Sequence, residues 1–166
     1  MRQPIIKFSV AVICAMLCTF ATAKSTDRMQ AMEINAERGD ALLTDDSESA
    51  ISGKVVISQG TLLINADKAV ITRVKGETQK ITLTGAPARL QQMNDNGELM
   101  KASAKQIVYI LSTEQISLLG NVIINQTRGS MRGESIRYDI KTGRLTGGGD
   151  GNRIQMRLEP KVQDKK

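Results

Sequence analysis

Histidine and tryptophan are absent from this 166-residue chain, and its aromatic rings amount to two Phe and two Tyr. Without histidine, a Ser-His-Asp or Cys-His arrangement cannot be assembled, and the commonest nitrogen ligand for zinc or haem is missing. The two cysteines, Cys14 and Cys18, sit in an N-terminal segment expected to be removed. Carboxylates alone could still hydrolyse glycosides, but that needs two acids at a defined separation. The one distinctive acidic cluster, Asp45-Asp46-Ser47-Glu48, lies in a Ser/Thr/Asp-rich stretch that reads as a loop. No catalytic residue, metal site or cofactor is therefore assigned, and the chain is not read as an enzyme. The scarcity of rings also argues against nucleic acid, whose bases stack on aromatic side chains.

The N-terminus has the layout of a secretory signal. Arg2 and Lys7 precede an apolar run of 13 residues, Phe8 to Phe20, and Ala21-Thr22-Ala23 offers a small-x-small cleavage site. Such a run is too short to span a bilayer as a stable helix. The alternative is an uncleaved anchor. Lipid modification of a cysteine fits poorly, because Cys14 and Cys18 follow Ile13 and Leu17 where small residues are wanted. Removal of residues 1–23 leaves 143 residues, with 21 basic side chains (23 less Arg2 and Lys7) against 17 acidic and a net charge of +4. That length suits one domain. Exported and without cysteine, it must be held together by packing and strand pairing alone. The mild basic excess fits a phosphorylated glycolipid or an anionic membrane.

What the chain has in abundance is repetition. Gly53-Lys54-Val55-Val56-Ile57-Ser58-Gln59 returns as Gly120-Asn121-Val122-Ile123-Ile124-Asn125-Gln126, and in each copy an acid, Asp67 or Glu134, follows the glycine by 14 positions. Ile34-Asn35-Ala36-Glu37 returns as Ile64-Asn65-Ala66-Asp67. Each unit predicts a strand, a polar turn and a return strand closed by glycine: Ala66–Thr72 with Lys80–Thr84, Lys105–Leu111 with Ile116–Leu119, and Glu134–Asp139 with Arg144–Thr146. The glycines Gly53, Gly85, Gly120 and Gly147, spaced 32, 35 and 27 apart, are expected at bends or bulges. Asn96-Gly97 marks a hairpin. Met29–Ala36 and Arg153–Leu158 are the expected first and last strands, with Lys161–Lys166 a disordered tail. The period is that of stacked sheet units, not helices.

Apolar/polar alternation gives the sheet one apolar face carrying Val55, Ile57, Leu62, Ile64, Leu83, Ile107, Tyr109, Leu111, Val122, Ile124, Ile136 and Tyr138. With no helix to cover it, the sheet must fold over itself as a sandwich, a jelly roll or a solenoid-like stack. These side chains are either plain core or, where the curved sheet does not quite close, the lining of a trough for acyl chains, at roughly 0.8 kcal/mol per buried methylene. Lys24, Arg28, Arg38, Arg73, Lys75, Lys80 and Lys101 are candidates to meet phosphates or carboxylates at an opening, with Arg73 and Lys80 singled out for a head group. The first and last strands present unpaired edges, and an edge-to-edge contact between copies would be head-to-tail.

The stretch from Gly53 to Arg73 closely resembles the most characteristic run of the OstA-like family of periplasmic lipopolysaccharide-transport proteins. Gly85-Ala86-Pro87-Ala88-Arg89-Leu90-Gln91-Gln92-Met93 with Asp95-Asn96-Gly97, and Leu119-Gly120-Asn121-Val122, extend the likeness over roughly residues 29–160. The resemblance implies an all-β, antiparallel, taco-like jellyroll over 24–160, open at both ends. It further implies an interior for the acyl chains of lipid A, and a head-to-tail bridge from an inner-membrane-anchored homologue to an outer-membrane translocon. By position it adds Met32, Ile34 and Leu90 to the lipid-facing set and again selects Tyr109 and Leu111. Leu90 stands where other members often have Phe, and the chain beyond Gly120 matches more loosely. A scaffold without lipid cargo and the inner-membrane-anchored homologue remain the alternatives.

Overall fold

The computed structural model describes residues 29–40, 44–94, 97–149 and 151–160. The expected signal (1–23), the lead-in 24–28 and the tail 161–166 lie outside the described residues. The described residues form ten strands and no α-helix: β1 (Glu33–Asn35), β2 (Arg38–Asp40), β3 (Ser47–Gln59), β4 (Leu62–Val74), β5 (Glu77–Met93), β6 (Leu99–Ile110), β7 (Gln115–Gln126), β8 (Gly129–Asp139), β9 (Arg144–Gly147) and β10 (Gln155–Leu158). All belong to one antiparallel sheet in the order β1-β3-β4-β5-β6-β7-β8-β10, with β2 also on β3 and β9 also on β8. Consecutive long strands are neighbours, so the chain meanders across the sheet through short turns. Between β4 and β5 only Lys75 and Gly76 intervene, both at positive φ, the conformation a two-residue hairpin requires.

The long strands are longer than the repeat predicts, because they do not stop at their glycines. They pass through and bend. Pairing of β3 with β4 runs to Ser52↔Lys68 and resumes at Val55↔Ala66, so Gly53 and Lys54 face a single residue of β4. Equivalent shifts lie between Asn65 and Lys68 on β4, Thr84 and Ala88 on β5, Ser103 and Gln106 on β6, and Leu119 and Val122 on β7. Bulges aligned across a sheet add up to a crease. Gly53 and Lys54 have φ of 82° and 44°, and Gly120 and Asn121 have 81° and 50°, which glycine and asparagine adopt most readily. Gly85 fills the corresponding role on β5. Gly147 does not: it ends β9, and the last long strand bends at Gly133 and Glu134, where pairing resumes at Val122↔Gly133.

Acidic side chains tie the crease. Asp67 Oδ2 accepts the Ala86 N–H at 3.1 Å, and Glu134 Oε2 accepts the Asn121 N–H at 3.2 Å, satisfying donors that the bulges remove from the ladder. Glu37 N–H donates to the Gly53 carbonyl, and its carboxylate meets Lys54 Nζ at 2.7 Å in the open, an exposed pair of small energetic weight. The repeated glycine-to-acid spacing is thus the spacing between a bulge and the side chain opposite a bulge.

The crease divides the sheet into two leaves. One comprises Ser47–Ser52, Lys68–Val74, Glu77–Thr84, Gln106–Ile110, Gln115–Leu119 and Ser135–Asp139, with β2 and β9. The other comprises Val55–Gln59, Leu62–Asn65, Ala88–Met93, Leu99–Ser103, Val122–Gln126 and Gly129–Gly133, with β1 and β10. Their inner faces close on one continuous hydrophobic cluster. The short ends differ from expectation: Met29–Ala36 yields only Glu33–Asn35, and Arg153–Leu158 only Gln155–Leu158.

Candidate functional site: the interior between the leaves

The space between the leaves is a wedge, and its side chains are graded to fit. Nearest the crease on one leaf are Val55, Ala66, Ala88, Ala104 and Val122, small side chains where the backbones converge, and on the other leaf Ala69, Leu83, Ile107 and Leu118. A step outward come Ile57, Ile64 and Leu90 on one leaf and Ile81, Tyr109 and Ile116 on the other, all buried. Toward the mouth the row becomes Gln59, Leu62, Gln92 and Met100. A fully buried aliphatic side chain contributes roughly 1.5–3 kcal/mol, so this lining is also what holds the two leaves together.

Of the residues proposed from sequence for lipid contact, Val55, Ile57, Leu62, Ile64, Leu83, Leu90, Tyr109, Val122 and Ile124 lie buried in this interior, as do Ile107, Ile136 and Tyr138 of the same expected face. Met32 and Leu111 are half-buried against the same cluster. Ile34 pairs with inward-facing Ile57 and so shares the inner face, but on the terminal strand it is 37% exposed. These three mark openings of the wedge rather than its depth. At the other end, Ile124, Met131, Leu145, Met156 and Leu158 help line a shallow hollow of about 130 Å³ beside β10. Met156 and Leu158 are 58% and 76% exposed.

The two cations proposed for a head group are not brought together. Arg73 lies on the inner side of β4, and its Nη2 donates to the Gly76 carbonyl of the adjoining turn at 2.5 Å. Lys80 pairs with outward-facing Thr72 and points away from the interior. A strand period of two puts Arg73 and Thr72 on opposite faces, and the turn uses the guanidinium locally. The acidic stretch likewise serves the backbone: Asp46 Oδ1 accepts the Lys75 N–H at 2.9 Å, and the Asp45 carbonyl accepts that of Gly76 at 2.8 Å. Asp139, the last residue of β8, accepts the Thr142 N–H at 2.8 Å and its hydroxyl at 2.9 Å, and these bonds hold it below the usual carboxylate range.

The sequence reading missed part of the lining. Ile81, Met100, Ile116, Leu118 and Met131 continue the same alternation and are buried. Ser49 and Gln92 are buried polar residues that a hydrophobic pattern passes over; only their phase in the alternation places them inward.

A family model described as "LptA/(LptD N-terminal domain) LPS transport protein" matches residues 33–144. Lipopolysaccharide export system protein LptA of Escherichia coli K12 is 33% identical over 159 residues, covering 93% of this chain and 84% of its own. The export system protein LptH of Pseudomonas aeruginosa is 27% identical over 154 residues, covering 86% and 87%. The crystal structure of LptH, described as the LptA homologous periplasmic component of that organism's lipopolysaccharide transport device, superposes with a TM-score of 0.73. It is 22% identical, covering 81% of this chain and 99% of its own. That likeness concerns the fold: a creased, antiparallel, jellyroll-like sheet.

Proposed function

Because this chain belongs to the LptA/LptD N-terminal family of lipopolysaccharide transport proteins, we propose that it carries lipopolysaccharide through the periplasm, with the acyl chains shielded between its two leaves and no catalytic step. The observation that carries this reading is the continuous aliphatic interior of a sheet creased but not closed. The buried lining offers dispersion contact and carries no charge, as a hydrocarbon chain requires. Each methylene withdrawn from water contributes roughly 0.8 kcal/mol, so partial cover of one chain is enough for reversible binding. Val55, Ile57, Leu62, Ile64, Leu83, Leu90, Tyr109, Val122 and Ile124 form the path, with Met32, Ile34 and Leu111 at its openings. The domain organisation in this proposal is a cleaved signal over 1–23, a jellyroll over 24–160 and a basic tail over 161–166.

Transport across a gap wider than one molecule needs copies or partners in line. The sheet ends in unpaired edges at β1 and β10, and β10 carries the exposed Met156 and Leu158. Strand addition at such edges is head-to-tail and open-ended. The proposed partners are accordingly a second copy, an inner-membrane-anchored homologue and an outer-membrane translocon, all extending one apolar path.

The test is site-specific photocrosslinking in cells. A photoreactive residue at Ile34 or Leu111, where the side chain has room, is expected to capture lipopolysaccharide, and one at outward-facing Lys80 or Val70 is not. Capture at neither inward site, from a folded protein, would remove the carrier role and leave a scaffold.

A further inference from the structure

Among the buried polar side chains of the interior, Gln92 stands apart. It lies on the inward side of β5, just before the turn in which Asn94 and Glu98 bond to one another. It is 6% exposed, and its Oε1 has no hydrogen-bond partner among the described residues. The other buried polar groups are engaged: Tyr109 donates to Gln59, and Ser49 and Tyr138 each have a partner. The flanking inward positions are apolar. Gln92 pairs with Met100 on β6 and stands one step from the Leu63↔Gln91 pair on β4, beside Leu62. A side chain such as Leu or Met would fill this position without desolvating an amide.

The position gives the amide a use. Gln92 shares the mouth row with Gln59, away from the alanine-lined crease, so a hydrocarbon chain passes it before reaching the depth of the wedge. We propose that Gln92 is a specificity-determining residue: its side-chain carbonyl accepts a hydrogen bond from a hydroxyl or amide N–H carried on an acyl chain in the interior. It thereby favours hydroxylated or amide-linked chains over plain hydrocarbon ones. A buried acceptor that is answered only by the correct ligand discriminates well, because a chain lacking the donor leaves it unpaired. This inference rests on the carrier reading and narrows it to a class of lipid.

The test compares two probes of equal length, 3-hydroxytetradecanoate and tetradecanoate, bound to the purified secreted chain below their aggregation concentrations. Affinity is read by displacement of a fluorescent apolar dye. The native chain is expected to bind the hydroxylated probe about five- to tenfold more tightly, the worth of one buried hydrogen bond. Gln92→Leu is expected to abolish that preference while binding the plain probe at least as well, and to melt no lower than the native chain. If Gln92→Leu does not fold, Gln92→Met, which keeps the length, gives the same readout. Equal binding of the two probes by the native chain, or a preference that survives the substitution, overturns the inference and leaves the carrier reading intact. Failure of both probes to bind the folded native chain overturns both.

Discussion

The hydroxyl of Tyr109 donates a hydrogen bond to Oε1 of Gln59 across 3.3 Å, although β4 and β5 lie between their strands in the sheet. Three inter-strand spacings in a flat sheet come to about 14 Å. The two residues also sit on opposite sides of the crease, so the bond spans the leaves and reports their closure directly. Tyr109→Phe keeps the ring and removes the donor. It is expected to lower stability by about 1 kcal/mol with an unchanged urea m-value. A variant as stable as the native chain would mean that apolar packing alone closes the leaves.

The wedge sets apart positions that support the fold from positions that border its openings. Leu118→Ala or Ile64→Ala, at fully buried sites, is expected to cost about 2–5 kcal/mol in urea denaturation. Ile34→Ala, on a three-residue edge strand, is expected to cost under about 1 kcal/mol while weakening lipid capture. Equal losses at Ile34 and Ile64 would contradict the assignment of Ile34 to an opening.

Two glycines with similar backbone angles allow strain and crowding to be separated. Gly143 has φ of 69° and open space where a Cβ would stand. Gly120 has φ of 81°, and an added Cβ would lie 2.9 Å from Lys105 Cβ. Gly143→Ala is expected to cost about 1 kcal/mol, the backbone penalty alone. Gly120→Ala should cost at least about 1 kcal/mol more, because the crease must open to admit the methyl. Thermal melting of the two variants decides this, and equal losses would show that the crease is soft.

The alternation of Val55, Ile57, Leu62 and Ile64 was enough to read strands and an inward face, because burial in a sheet follows a period of two whatever the sheet does at long range. The crease was legible only in part. Gly53, Gly85 and Gly120 marked bends, but nothing local showed that they align across neighbouring strands, and Gly147 shared their spacing without their role. Register is a property of pairs of strands, so Asp67 and Glu134 are visible in the sequence as repeats while their bonds to Ala86 and Asn121 are not. Arg73 and Lys80 fall on opposite faces of the sheet for the same reason: charge is visible in a sequence, and the face it occupies depends on the phase left after a bulge. Gln92 escaped because a polar letter in an apolar row reads as surface until the row is seen to be buried.

Asp139 offers a pH-dependent check on the turn that follows β8. Its bonds to the Thr142 N–H and hydroxyl, with the nearby Lys141 charge, favour the ionised carboxylate in the folded chain and depress its pKa. A depressed folded value means that the ionised form adds stability above the ordinary carboxylate pKa of about 3.9, and that this contribution fades as pH falls through the folded value. Asp139→Asn keeps an acceptor oxygen and removes the charge. The variant is therefore expected to melt slightly below the native chain from pH 5 to 7, and the gap should close as the pH falls below about 4. Melting curves across that range are the measurement. A gap that stays constant, or widens in acid, would mean that the turn is held by the shape of the side chain and not by its charge.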